Sequence, residues 1–123
     1  MAKTGILGQI ALPSADYTTV YTVPVETRAT ISIMTCHSVG HDDDVRIDLG
    51  LSDEVPTEQN MANKWIEYGA LLPHGGALER SGIVLGPGDR VVAHLHRASA
   101  SHDGMIAVTV LGIEELSAST TPP

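Results

Sequence analysis

The chain has 123 residues, with seven Lys or Arg set against fifteen Asp or Glu and a formal net charge of −8. That length is most simply a single domain, and that charge opposes phosphate backbones and anionic lipid, so neither nucleic acid nor a membrane is an expected partner. The single cysteine, Cys36, excludes an intrachain disulfide and a cysteine-based zinc framework; it reads as a small buried apolar residue.

Phenylalanine is absent, and Trp65, Tyr17, Tyr21 and Tyr68 are the only aromatic residues. The core is therefore expected to be aliphatic, and a thin core of this kind often gains stability by pairing with another copy. The opening MAKTGILGQIALPSAD is too interrupted for a signal peptide, and no apolar run is long enough to span a membrane.

In chain order, residues 1–17 read as an arm or edge strand built on Ile6 to Leu12 and closed by Pro13-Ser14-Ala15-Asp16. Thr18 to Val23 is rich in β-branched and aromatic residues and stops at Pro24. From Arg28 onward, Ala29, Ile31 and Ile33 alternate with Arg28, Thr30 and Ser32, and the alternation slips at Met34, which fits a bulge. Val45, Ile47, Leu49 and Leu51 form the cleanest half-buried strand, after the polar loop SVGHDDD. Ser52 to Ala62 is a polar connection with room for one helical turn.

Lys64 to Leu72 alternates Ile66, Tyr68 and Ala70 with Trp65 and Glu67, and Ala77 to Leu85 leads into Gly86-Pro87-Gly88-Asp89. Pro87 suits the second position of a type II turn and Gly88 the third, so the segment predicts a hairpin into Val91, Ala93 and Leu95. Met105 to Ile113 is apolar in both phases, as in a central strand or one covered by a partner. Residues 117–123 read as a disordered tail. The sum is about eight short strands without a helix, an all-β sandwich or jelly-roll-like domain over 18–116. Its core is drawn from the alternating residues named above and one phase of Met105 to Ile113.

Few constellations suggest chemistry. His94 and His96 share a strand face and are the candidate metal pair, but no glutamate follows as a cupin would require. Their third ligand would have to come from His102, His74, His41 or His37, and no metal or other cofactor is expected. The adjacent Asp42, Asp43 and Asp44 lack the alternate spacing of a calcium loop. Ser81, His94 and Asp89 could be named as a triad, but no nucleophile elbow accompanies them. Trp65 and Tyr68 could stack on a sugar, yet in a regular strand they point to opposite faces.

The order of segments resembles small β-sandwich structural proteins of tailed bacteriophages. VYTVPVETRATISIMTCHS, NKWIEYGALLPHGGALE, SGIVLGPGDRVVAHL and GMIAVTVLGIEE carry the likeness, which covers about Thr18 to Glu115. Cys36-His37 and the acidic SVGHDDD depart from the family pattern. The resemblance implies a non-enzymatic virion protein assembled in the host cytoplasm. It would be a head decoration or cement protein, or alternatively a neck, tail or fibre component. The expected partners are further copies of the chain, as a dimer or trimer, and a major capsid or other virion protein. The expected interface comprises Ile6, Leu7, Ile10, Met105, Ala107, Leu111 and Ile113. The rival readings are a cupin-like metal-dependent enzyme and a carbohydrate-binding module.

Overall fold

The computed structural model describes residues 3–13, 17–37, 45–73, 75–96 and 106–116. The loop from Ser38 to Asp44, His74, the segment Ala98 to Ser101 with His102, Met105 and the tail lie outside the described residues. The described residues form eight strands: β1 (Lys3–Ala11), β2 (Thr18–Thr22), β3 (Thr27–His37), β4 (Val45–Ser52), β5 (Trp65–Leu72), β6 (Ala77–Leu85), β7 (Arg90–Leu95) and β8 (Ile106–Leu116).

They make two four-stranded antiparallel sheets, β1-β8-β3-β6 and β2-β7-β4-β5. β1 pairs with β8, β2 with β7, β3 with β6 and β4 with β5. This is the pairing of one long hairpin, rolled so that alternate pairs fall into opposite sheets, and it is the jelly-roll form of the sandwich. Only β4 and β5 are consecutive strands that also lie side by side.

Period-2 alternation fixes which side chains meet between the sheets. Ala29, Ile31, Ile33, Ile106, Val108 and Val110 from the first sheet face Val45, Ile47, Leu49, Val91, Ala93 and Leu95 from the second, all buried. Leu12, Tyr21, Val23, Leu72 and Leu85 complete the core. Among the described residues, two contacts between side chains tie the sheets at their margins. The Tyr21 hydroxyl on β2 donates to Glu114 on β8, and Arg80 on β6 pairs with Glu67 on β5 at 2.6 Å.

The turn at Gly86 to Asp89 differs from the expected hairpin. Asp89 N–H donates to Gly86 C=O at 3.1 Å, and Gly88 has φ +83°, as its place in the turn requires. The strands it joins, however, belong to opposite sheets. The segment is an arch, held to the end of β2 because Val23 N–H donates to Asp89 C=O and Gly88 N–H to Val23 C=O, both at 2.9 Å. Leu85 and Val91 flank the arch and are both buried, so the local apolar pattern is that of a hairpin although the partners are different strands.

β3 also differs. Its alternation runs unbroken to His37, with Thr35 and His37 pointing inward and Met34 and Cys36 outward, so Cys36 is exposed rather than buried. The Thr35 hydroxyl donates to Leu78 C=O at 3.3 Å, and His37 Nδ1 lies 3.4 Å from Leu72 C=O. Backbone acceptors thus make the polar pair tolerable inside. The register shift expected in β3 lies opposite it, in β6, where an extra residue intervenes between the partners of Ile31 and Ile33 near Gly82.

Candidate functional site

The two sheets present different outer faces. On the first sheet, Ile113 lies across from Thr4 and Thr30, with Val84 beyond, and Leu111 lies across from Ile6 and Ser32. Met34 lies across from Thr109 and Glu79. Ile6, Met34, Val84 and Ile113 are exposed and Leu111 is half-buried. Glu79 is the one charge in these rows, which are aliphatic and threonine-rich, and the exposed Arg28–Glu115 ion pair at 3.5 Å borders them on the same face.

Of the expected interface residues, Ile6 and Ile113 are exposed on this face, with Ala107 and Leu111 half-buried. Leu7 and Ile10 are half-buried and pack against the core. Met105 lies outside the described residues.

On the second sheet, the outward phase of β4 and β7 places Asp48 beside His94 and Gly50 beside Val92. The connection from Asp53 to Lys64 folds back over this face, anchored by Met61, which is fully buried. A Cβ at position 50 would stand 2.5 Å from the Met61 methyl, so glycine there makes room for the anchor. Val92 is buried too, apart from the main core cluster. The connection is locally tied. Thr57 and Asn60 exchange side-chain and backbone bonds at 2.9 and 3.1 Å, and Met61 N–H donates to Thr57 C=O at 3.0 Å. Lys64 pairs with Glu54 at 2.8 Å, a bond that raises its pKa above the usual lysine value.

Beside this wall opens a cleft of about 810 Å³. At its floor Asp48 is 1% exposed yet well supplied with donors: Gly69 N–H at 2.7 Å, His94 Nδ1 at 3.0 Å and His96 Nδ1 at 3.1 Å. A buried carboxylate with three donors is stable where a bare one is not. Because a carboxylate only accepts, both imidazoles carry hydrogen on Nδ1, which leaves each Nε2 for a partner from outside.

β5 has two extra residues relative to β4, one between Trp65 and Glu67 and one between Glu67 and Ala70. Gly69, with φ +68°, occupies the second irregularity. Its N–H is thereby aimed at Asp48, and its carbonyl accepts from Arg46 at 2.8 Å. The first irregularity reverses the expected disposition of Trp65 and Tyr68. Both rings line the cleft, 6.0 Å apart. Tyr17 stacks on His94 at 4.4 Å and 19°, and Tyr68 meets His96 edge-on at 4.7 Å. Burial, with the nearby Glu58 carboxylate, raises the Tyr17 pKa above the usual tyrosine value, and its hydroxyl is a donor at neutral pH as in any tyrosine.

The other sequence constellations are not assembled. Ser81 is exposed on β6 of the first sheet, and Asp89 accepts from Gly86 N–H at 2.8 Å in the arch, so neither meets His94. Among the described residues no group of three His, Cys, Asp or Glu side chains is arranged to hold a metal ion, and His37 lies buried between the sheets. Sequence reasoning missed Tyr17 and Asp48. Asp48 could have been found by aligning the polar phase of β4 with the polar phase of β7, where it faces His94.

No protein-family model and no curated protein matches the chain. Its fold is similar to that of a chain in the acidic stable capsid structure of Helicobacter pylori bacteriophage KHP30. The TM-score is 0.54 at 12% identity, over 96% of this chain and 95% of that one. The K3 cleaved adhesin domain of Lys-gingipain from Porphyromonas gingivalis gives a TM-score of 0.41 at 12% identity, over 80% of this chain and 59% of that one.

Proposed function

We propose that the chain is a non-enzymatic structural protein of a bacteriophage virion, a decoration protein that binds the assembled head as an oligomer. The observation that carries this reading is the fold-level likeness, nearly end to end in both chains, to a protein from a phage capsid structure. The outer face of the first sheet supports it. Ile6, Leu111, Ile113 and Val84 form an apolar patch bordered by Glu79 and the Arg28–Glu115 pair, which is suited to burial against a protein partner. A specific contact through such a face buries on the order of 1,000 Å² or more in total.

The test combines light scattering of the purified protein with mass spectrometry of purified virions. The expected results are a dimer or trimer in solution and the chain present in stoichiometric amount in the particle. A strict monomer that is also absent from particles would refute the proposal.

A further inference from the structure

We propose that the cleft on the outer face of the second sheet is a binding site for a neutral pyranose of an oligosaccharide. This inference goes beyond the virion reading and does not depend on it. The first ground is the placement of the aromatic residues. The chain has one tryptophan, three tyrosines and no phenylalanine. Tyr21 alone joins the core, while Tyr17, Trp65 and Tyr68 line the cleft. Tyr68 is 66% exposed. A protein poor in large apolar side chains has thus put three of its four largest rings outside the core, where they offer faces to a ligand.

The second ground is the polar floor. Asp48 is held by Gly69 N–H and fixes both imidazoles through Nδ1, so the Nε2 atoms of His94 and His96 come as a preset pair. No partner for either Nε2 occurs among the described residues. Each Nε2 can bond a sugar hydroxyl, which both donates and accepts, and the Tyr17 hydroxyl, Glu58 and Asn63 add a donor, a carboxylate and an amide. Ring faces beside a few convergent polar groups match a pyranose, whose C–H face is apolar and whose rim is hydroxylated.

The third ground is order. The wall from Asp53 to Lys64 is anchored by Met61, and the irregularities of β5 turn Trp65 and Tyr68 to one side, so little of the site needs rearranging on binding. Charge selects among sugars. The acidic groups lining the cleft are Asp48 and Glu58, and the whole chain is at −8, which disfavours sialylated, uronic or phosphorylated saccharides.

Trp65 is the only tryptophan, so intrinsic fluorescence reports on the cleft itself. The full chain would be titrated with malto-, cello-, chito-, manno- and galacto-tetraoses, and in parallel with sialyllactose and tetragalacturonate. At least one neutral series is expected to give a saturable emission change. Tyr68→Ala should weaken that binding roughly tenfold at an unchanged melting temperature, whereas Ile113→Asp on the opposite face should leave it intact. The site assignment is overturned by no saturable change up to about 10 mM in any neutral series, by binding confined to the acidic sugars, or by binding indifferent to Tyr68→Ala in a folded variant.

Discussion

The two outer faces of the sandwich show how one alternating strand pattern yields two kinds of surface. On the first sheet, the central strands β3 and β8 pair without a register shift, so Thr30, Ser32, Leu111 and Ile113 line up across them, and the shifts fall on the edge strands β1 and β6. On the second sheet, β5 carries two extra residues and the connection before it folds back over β4, which makes a walled cleft. Regularity suits docking against a broad partner, and irregularity re-aims single side chains toward a small one.

Substitutions separate what the faces share from what each owns. The largest effect is expected at Ile47, fully buried beneath both: Ile47→Ala should cost about 2–5 kcal/mol by chemical denaturation and weaken both surfaces together. Next comes Asp48→Ala, which strips the Gly69 N–H and both imidazoles of their acceptor. A loss of roughly 1–3 kcal/mol is expected, with the first-sheet face unaffected in light scattering.

Tyr21→Phe removes the hydroxyl that binds Glu114 across the sheets and should cost about 1 kcal/mol. The same pair gives a pH dependence. Burial first, and then the bond to Glu114, raise the Tyr21 pKa in the folded state, so folding favours the neutral phenol. That stability is fully present below the ordinary tyrosine value of about 10 and is lost as pH rises above it toward the folded value. Tyr21→Phe should flatten the alkaline limb of a stability–pH curve. The smallest stability effect belongs to Ile113→Asp, within about 0.5 kcal/mol for a monomer because the site is exposed, yet it should abolish self-association.

Much of the fold was legible because a half-buried strand writes its inner face at every second residue. Val45, Ile47 and Leu49, then Val91, Ala93 and Leu95, are inward as the alternation predicts. The pattern fails where chemistry other than hydrophobicity sets the phase. Thr35 and His37 turn inward onto backbone carbonyls, and Cys36 turns out. It also cannot tell a hairpin from an arch, since Leu85 and Val91 are buried either way and the choice rests on distant partners in β2 and β3. The cleft was the least legible. Its residues come from β4, β5, β7 and the residue after it, the connection before β5 and the segment before β2, and the two extra residues in β5 change phase without any break in composition.

A reconstruction of the native particle would show which face of the sandwich is covered. The expected result is a copy of the sandwich whose first-sheet face, with Ile6, Leu111 and Ile113, lies against the shell or a neighbouring copy while the cleft of Trp65, Tyr68 and His94 opens to solvent. Particles lacking the chain, or a chain seated through the cleft with the aliphatic face bare, would contradict it.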